Sequence, residues 1–342
     1  MLLKDKYIPY TLNDSEFHRG IITSLERVSN MDCFHNLFLY GPSGSGKYSL
    51  VSMILCNMYG NDIHNKYYTK FRFMINGTEK EIDIFSSKYH YELYLSDNNN
   101  YDRQITIELL KKLSESPNIL TNDYTVIVIK NAHYLTADIY DIIKMINEKR
   151  YNNCRFILLA DSLVNTSRSL FGFFFFIRIP MIKPPELIKY FSKICSHEKL
   201  IITEEQILTV IQKNNSNLNL IFMELDLIGQ KKKFFDYESQ TEKKINGLIK
   251  LIDTEKIENI ADIKRELYLI TANNIDKIEL IKHIFNYYIY KIQQKQKFTE
   301  LTAEITAKVN NGYRELIHLE YYLVSILQFL RNNKNTLTVS TI

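Results

Sequence analysis

The sequence predicts an α/β fold, in which a parallel sheet carries helices on both faces, followed by a small helical domain and an all-helical C-terminal domain. Three observations support this prediction. Short apolar runs alternate with helical patterns as far as Pro180, as expected when parallel strands are joined by helical crossovers. A glycine-rich loop connects the first apolar run to the first helix. After Pro180 the strand signals stop and only helical periodicity continues.

Four runs are predicted to be strands because each is short and apolar. They are residues 35–40, 124–129, 155–160 and 173–179. The predicted helices between and after them are residues 49–58, 104–114, 137–149, 186–198, 203–213 and 218–228. The phenylalanines at 173–176 favour an internal strand, since the buried strands of parallel sheets are continuously apolar.

The second half of the chain divides into two helical regions. Residues 229–244 are polar and dense in charge, and we interpret them as a linker. Beyond them apolar residues recur at three- and four-residue steps, for example Leu316, Leu319 and Leu323, which predicts amphipathic helices. These boundaries predict three domains, namely residues 1–180, 181–236 and 237–342.

Composition limits the class of protein. The 342 residues are 45% hydrophobic and 24% charged, which excludes a disordered or fibrous chain. The 43 Lys and Arg against 39 Asp and Glu leave a formal charge of +4, so a basic surface would have to come from the distribution of charge. The four cysteines are far apart, which argues against a zinc module or a disulfide framework and predicts reduced, intracellular thiols. No signal peptide is predicted, and no apolar run approaches the roughly 20 residues that span a membrane.

Residues 41–47 fit the phosphate-loop pattern G-x-x-x-x-G-K, between a predicted strand and a predicted helix. Glycines let successive backbone N–H groups converge on phosphate oxygens, the helix N-terminus adds a favourable dipole, and Lys47 supplies a positive charge. The alternative is a glycine-rich turn with an accidental lysine. The cofactor-binding residues predicted here are Gly41, Pro42, Ser43, Gly44, Ser45, Gly46, Lys47, Tyr48 and Ser49.

The groups that hold Mg²⁺ and activate water in such a site are missing. A phosphate loop places Ser or Thr after its lysine, but here that position holds Tyr48. After the second strand, Lys130 stands where an aspartate would ligate the metal, and Asn131 where a glutamate would act as base. An ammonium repels a metal, and an amide cannot take a proton from water. We therefore predict no metal and no hydrolysis, with the Lys130 ammonium replacing the charge of Mg²⁺ beside a bound nucleotide.

Several segments together resemble one family. They are DKYIP (5–9), HNLFLYGPSGSGK (35–47), SSKYHYELYLSD (86–97) with Asp102 and Arg103, KNAH (130–133), EKRYNNCRFIL (148–158) and VNNGYRELIHLEYYLVSILQF (309–329). The chain resembles the AAA+ clamp-loader subunits, the small subunits of replication factor C, and among them the small subunit with a degenerate ATP site. The resemblance implies an α/β AAA+ P-loop domain, a small helical lid and an all-α collar domain.

Several motifs of that family are altered here. Tyr7 lies in the family's segment near the adenine pocket, so the resemblance makes it a further cofactor-binding candidate. Asp161 stands at the sensor asparagine, Asn219 at the lid-helix sensor arginine, and Phe173 in the segment that carries the arginine finger. With the two positions after the second strand, these are the degenerate positions of the ATPase site. The resemblance therefore implies a subunit with no catalytic residue.

The family encloses primed DNA in a ring of five subunits and contacts mainly phosphates. The resemblance implies other replication factor C subunits, a PCNA-type sliding clamp and primer–template DNA as partners, a structural ATP or ADP as ligand, and no membrane. Arg103 and Lys144 lie where the family keeps basic residues on its DNA face, although each alone fits a solvated helix charge equally well. The implied location is the nucleus, or a viral replication site for a viral chain.

Two other functions stay open at this point. An active P-loop ATPase or kinase would take its acidic residues from outside the usual strand, and would turn over ATP without partners. A pure scaffold would carry a vestigial, empty pocket, and would retain no nucleotide on purification.

Overall fold

The computed structural model divides into two compact units, Met1–Phe235 and Asp236–Ile342. The residues it describes are 2–29, 34–75, 78–94, 103–115, 124–149, 153–163, 166, 168–200, 202–231, 240–254, 260–273, 277–311 and 315–339. Within these ranges, none of the helices combines the length and the apolar character needed to span a bilayer.

A seven-stranded sheet lies at the centre of the first unit. Its strands are β1 (Leu37–Tyr40), β2 (Tyr67–Ile75), β3 (Thr78–Ser86), β4 (His90–Tyr94), β5 (Thr125–Lys130), β6 (Cys154–Ala160) and β7 (Phe175–Arg178). Their order across the sheet is β2-β3-β4-β5-β6-β1-β7. Strands β4, β5, β6, β1 and β7 are parallel, whereas β2 and β3 form an antiparallel hairpin beside β4. The predicted α/β fold class is confirmed, but the sheet is mixed rather than purely parallel.

Helices cover both faces of the sheet, because side chains alternate along each strand. The helices that precede or connect the strands are α1 (Leu3–Lys6), α2 (Arg19–Ser29), α3 (Lys47–Tyr59), α4 (Arg103–Glu115) and α5 (Ala137–Lys149). On β5, Val126 and Val128 pack in the core shared with α2 and α3. Ile127 and Ile129 pack in the core shared with α4 and α5. All four are fully buried, as expected for a central strand covered on both sides.

The run of phenylalanines forms an edge strand, so the interpretation of an internal strand is wrong. β7 lies at the end of the strand order, beside β1, and begins at Phe175. Phe174 is buried near Phe38, whereas the Phe175 side chain is 51% exposed. Continuous apolar sequence does not by itself distinguish an edge strand from a central one.

The hairpin β2–β3 and strand β4 lie outside the four predicted strands. On β2, Phe71 and Phe73 pack toward the core, whereas Lys70 and Arg72 are exposed and Arg72 pairs with Glu81 of β3. Such alternation is typical of antiparallel strands with one solvated face. This period of two is the signal in the sequence that identifies the hairpin.

Three helices form a small bundle in the remainder of the first unit. They are α6 (Pro184–His197), α7 (Glu204–Lys213) and α8 (Leu218–Lys231). Their core includes Phe191, Ile207 and Leu225, and α1 adds Leu3 to it. All three helices overlap predicted ones. The division between a first and a second domain at residue 180 stays a prediction.

The described residues of the second unit form five helices. They are α9 (Gln240–Asp253), α10 (Ile260–Ala272), α11 (Lys277–Tyr288), α12 (Lys295–Asn311) and α13 (Glu315–Val339). Its core contains the fully buried aromatic side chains of Tyr288, Phe298 and Tyr322. Helices α8 and α9 extend into both ends of the predicted linker, residues 229–244, and residues 232–239 lie outside the described residues.

The cysteines that the structure describes lie in the interior. Cys56, Cys154 and Cys195 are all buried, and burial raises the pKa of Cys195 to about 11. Buried, protonated thiols pack as small apolar side chains. Cys33 lies outside the described residues.

Candidate functional site

The phosphate-loop sequence lies at the carboxyl end of β1, between β6 and β7. Because the chain crosses over β1 in passing from β6 to β7, this is the kind of position where open α/β sheets bind ligands. Gly44 and Gly46 have φ angles of 77° and 88°, which glycine adopts without strain. Helix α3 begins at Lys47, so its first N–H groups are available to a ligand. The buried Ser45 hydroxyl has no hydrogen-bond partner among the described residues.

Lys47 is fully engaged within the protein. Its Nζ donates to the carbonyl oxygens of Gly41 (2.7 Å) and Pro42 (2.8 Å). It also forms an ion pair of 2.8 Å with Asp161 Oδ1. Asp161 directly follows β6, the neighbour of β1, which brings the two side chains together. These three contacts match the three N–H donors of an ammonium group.

Glu92 of β4 is the centre of a buried ion network at this site. Its carboxylate forms ion pairs with Lys66 (2.6 Å) and Lys130 (2.8 Å). It also accepts hydrogen bonds from the Tyr48 hydroxyl (2.8 Å) and from His90 Nε2 (3.0 Å), and Lys66 contacts the Tyr48 hydroxyl as well. The Glu92 side chain is only 5% exposed. The network therefore ties α3, β4 and β5 together next to the phosphate loop.

This network shows the contacts of Tyr48 and Lys130, which stand where a working site would have metal ligands. The Lys130 ammonium lies over the Tyr48 ring, 3.7 Å from its centroid, an attractive cation–π arrangement. Burial alone would raise the pKa of Glu92, but the His90 hydrogen bond, Lys130 and Lys66 outweigh it and hold the pKa well below its usual range. The carboxylate is thus ionised, and its single negative charge is shared by Lys66 and Lys130. That Lys130 replaces the charge of Mg²⁺ beside a bound nucleotide stays a prediction.

A cavity of about 470 Å³ brings most of the predicted site residues together. Its lining includes Tyr7, Ser43, Gly44, Gly46, Lys47, Tyr48, Ser49, Lys130, Asn131, Asp161 and Asn219. A neighbouring cavity of about 350 Å³ is lined by Ser45 and also by Tyr7, Gly46 and Ser49. Both volumes lie in the range of small-molecule sites. In the described part of the chain, no three His, Cys, Asp or Glu side chains are grouped to hold a metal ion.

The N-terminal segment borders both cavities and is tied to the helical bundle α6–α8. The Leu3 N–H donates to Asp226 Oδ1 (3.0 Å), and the Tyr7 hydroxyl donates to Glu198 Oε1 (2.7 Å). Lys6 forms an ion pair with the same carboxylate. The hydrogen bond to Glu198 is the main reason why the pKa of Tyr7 is raised to about 12. Tyr7 thus contributes to the wall of the site and holds the segment against the bundle.

The first turn of α8 contacts the phosphate loop. The Leu218 N–H donates to the Gly44 carbonyl oxygen (3.2 Å). The side chain of Asn217 accepts a hydrogen bond from the Asn219 N–H (3.0 Å) and so caps the helix. A Cβ at position 44 would lie only 1.9 Å from Asn217 Oδ1. Position 44 therefore requires glycine for space as well as for its φ angle.

We expect Gly44→Ala to destabilise the first unit by about 1–2 kcal/mol more than Gly46→Ala. The two glycines have φ angles of 77° and 88°, so both variants place alanine at a positive φ in the same loop. A Cβ at Gly46 would meet only Leu218 Cδ1, at 3.9 Å, whereas at Gly44 the Asn217 cap must move. Denaturant titration of both variants measures the difference, and equal losses would contradict the close packing of α8 on the loop.

The chain is similar over nearly its whole length to curated eukaryotic proteins. It is 25% identical over 346 residues to replication factor C subunit 5 of Schizosaccharomyces pombe, with 96% of each chain covered. It is 22% identical over 339 residues to replication factor C subunit 3 of Homo sapiens, with 94% of each chain covered. The chain is therefore similar over nearly its whole length to the replication factor C small subunits. The resemblance stated from the sequence is confirmed.

Two further comparisons were made. No protein-family model matches the sequence. Among solved structures, the RuvB Holliday junction branch migration motor of Thermotoga maritima aligns with a TM-score of 0.46 at 12% identity, over 84% of this chain and 81% of that chain.

Two further predicted positions, Phe173 and Lys144, are not among the described residues that line the two cavities. Phe173 precedes β7, and its ring centroid is 5.9 Å from the Lys144 ammonium on α5. Lys144 also lies 3.9 Å from Glu148. Arg103 is the first residue of α4, and Asp102 lies outside the described residues. The DNA-facing role of Arg103 and Lys144 stays a prediction.

The sequence analysis missed Glu92 and its partner Lys66. Glu92 lies in a short strand next to β5 and opposite Val128, which is fully buried. Acidic side chains are almost never fully buried unless they are paired. An isolated glutamate in a central strand therefore signals buried cations nearby, although the sequence does not say which lysines supply them.

Proposed function

We propose that this chain is a non-catalytic subunit of a replication factor C clamp loader, which helps to place a PCNA-type sliding clamp on primer–template DNA. One observation carries the non-catalytic part of the proposal. Where a working site would hold Mg²⁺, Tyr48 and Lys130 are each bound to Glu92 at 2.8 Å. Asn131, at the position of the usual base, cannot accept a proton from water. ATP turnover then belongs to the other subunits of the hetero-oligomer.

The ligand we propose is ATP or ADP, held structurally and without Mg²⁺. The phosphate part of the site fits this ligand, since the loop glycines, the N-terminus of α3 and the unpartnered hydroxyl of Ser45 are in place. Mg²⁺ does not fit, because the residue after Lys47 is a tyrosine committed to Glu92. The cavity of about 470 Å³ provides room for a phosphorylated ligand beside the loop.

The partners we propose follow from membership of the family. They are the other replication factor C subunits of a hetero-pentamer, the sliding clamp, and DNA bound through its phosphates. Such contacts need cations, and we propose Arg103 and Lys144 on the DNA side. The location we propose is the nucleus, or the replication site of a virus if the chain is viral.

Turnover by the isolated chain tests the non-catalytic proposal. We expect phosphate release from ATP and Mg²⁺ at the background rate, because the carboxylates of Glu92 and Asp161 are each paired with lysine and Asn131 cannot act as a base. The Lys47→Ala variant serves as the matched control, and we expect it to give the same background. Magnesium-dependent turnover that Lys47→Ala abolishes would contradict the proposal and favour an active P-loop ATPase.

A second candidate is a scaffold whose pocket is vestigial and empty. One observation favours it, namely that Lys47 already has Asp161 and two loop carbonyls as partners. Mass spectrometry of the natively purified assembly distinguishes the candidates. Retained nucleotide in proportion to this subunit supports the structural-ligand proposal, and its absence together with failure to bind added ATP or ADP supports the scaffold.

A further inference from the structure

Strand β2 forms a long open edge of the sheet. It contains nine residues, and among the described strands β3 is its only neighbour. The opposite edge strand, β7, has four residues and is followed closely by Pro180. An edge strand presents a row of unpaired backbone N–H and C=O groups, on which another extended chain can pair. Of the two edges, β2 therefore offers the longer one for such pairing.

Packing under the hairpin holds this edge in a fixed register. Phe73 of β2 and Ile82 and Ile84 of β3 are buried in the core that includes Ile105 and Leu109 of α4. A slip by one residue would turn these apolar side chains to solvent. Because side chains alternate along a strand, the even-numbered residues of β2 share the opposite face. They are Tyr68, Lys70, Arg72 and Met74, and all four are exposed.

This exposed face of β2 carries positive charge. Lys70 and Arg72 are the only charged residues of the strand. Lys70 lies opposite Asp83 of β3, but within the described residues the two form no ion pair. Arg72 pairs with Glu81 through Nε at 2.6 Å, yet 67% of its side chain is exposed. A guanidinium has five N–H donors, so this pair leaves others for a second carboxylate. Both cations are therefore accessible to a ligand at the edge.

These two charges restrict the kind of chain that can pair with β2. Two copies of β2 paired antiparallel about Phe71 would place Lys70 opposite Arg72, and like charges directly opposite each other are destabilising. A segment with carboxylates at alternate positions meets opposite charges instead. Neighbouring strands lie about 4.8 Å apart, so the carboxylates of β3 lie about twice as far from an added strand as the cations of β2 do. A nucleic acid is also anionic, but it has no row of peptide N–H and C=O groups to pair with the edge.

We propose that the edge of β2 is a docking site for an acidic segment of a partner protein, which adds to the sheet as a further strand. Carboxylates at every second position of this segment lie opposite Lys70 and Arg72, and apolar side chains pack against Tyr68 and Met74 at the two ends of the row. Main-chain hydrogen bonds supply the affinity, and the charges select the partner. The site is independent of the nucleotide pocket, since four strands separate β2 from β1 in the sheet.

A synthetic peptide with the sequence of β3, TEKEIDIFS, is the probe for this site, because β3 already matches β2 in register. Fluorescence anisotropy of the labelled peptide with the full chain gives the Kd. We expect the peptide to bind, and its Kd to rise about fivefold when its three carboxylates are replaced by amides. Hydrogen exchange at the backbone amides of β2 should slow when the acidic peptide is bound, because the added strand pairs with them.

The double variant Lys70→Gln, Arg72→Gln removes both cations from the edge. We expect it to bind the acidic peptide about fivefold more weakly than the wild type does, and to bind the amide peptide equally well. The matched control is the double variant Lys295→Gln, Lys297→Gln, which removes the same charge from two exposed lysines of α12. Its Kd for the acidic peptide should equal that of the wild type.

Three results would overturn the proposal, namely no binding of the acidic peptide, equal binding by the wild type and the Lys70→Gln, Arg72→Gln variant, or binding without protection of the β2 amides. Protection of the same amides by a single-stranded oligonucleotide, or by self-association of the chain without peptide, would also overturn it, because each identifies a different occupant of the edge.

Discussion

We expect Glu92→Gln to lower the free energy of unfolding of the first unit by about 3 kcal/mol. The substitution keeps the shape of the side chain but removes the anion that Lys66 and Lys130 share at 2.6 and 2.8 Å. Breaking a buried pair on one side is costly because the remaining charge stays away from water. The Tyr48 hydroxyl loses a charged acceptor at the same time.

Hydrogen exchange of the backbone amides of β4 and β5 measures this loss in the full chain, even if the two units unfold separately. The matched control is Glu81→Gln, which removes the 2.6 Å ion pair with Arg72 on the exposed face of the hairpin. Exposed pairs contribute about 0–1 kcal/mol, so the control should lose little protection. Equal losses of protection in the two variants would show that Glu92 stabilises the first unit no more than the exposed Glu81 does.

The same network predicts how stability depends on pH. The pKa of Glu92 is lower in the folded chain than its unfolded value of about 4.3. The stabilisation is therefore complete above the unfolded pKa and is lost as the pH falls from about 5 toward the low folded pKa. Glu92→Gln has no carboxyl to titrate at this position. We expect the wild type to lose its advantage over the variant progressively in acid, and a constant difference down to pH 2 would contradict the assignment.

The parts of the fold that the sequence predicts are those whose signal is local. Strand β1, the glycine loop and α3 follow one another without a gap, so one short stretch carries strand, turn and helix signals together. The hairpin β2–β3 was missed because its solvent-facing positions carry charge. These charged residues interrupt the apolar runs by which the other strands were predicted. The edge position of β7 depends on the order of strands, which no short stretch encodes.

The candidate site also depends on contacts between residues that are distant in the sequence. The altered positions Tyr48, Lys130 and Asp161 are visible in the sequence because a family pattern says which side chain is missing. What these side chains do instead depends on partners from other elements, such as Glu92 on β4. Ion pairs of this kind join residues that are far apart in the chain. The sequence separation of the two partners therefore gives no indication that they pair.

The largest expected effect on assembly concerns an apolar face on α13. Ile317, Tyr321 and Val324 are exposed and recur at four- and three-residue steps, so they lie on one side of the helix. The other side of α13 packs into the core of the second unit through Leu319, Tyr322, Leu323 and Ile326. Contiguous exposed apolar side chains of this kind mark protein interfaces. Under the function proposed above, this face would contact a neighbouring subunit of the clamp loader.

Tyr321→Asp should therefore weaken incorporation into the assembly by about 100-fold or more, because it places an unpaired charge in a buried apolar contact and removes an aromatic anchor. Tyr290→Asp is the matched control. It makes the same chemical change at a tyrosine of the same unit that is 84% exposed and lies outside α13. Both variants should melt like the wild type, since neither side chain is buried in the core. Native mass spectrometry of co-expressed subunits would then separate the two, and incorporation of Tyr321→Asp at the wild-type level would exclude α13 as the contact face.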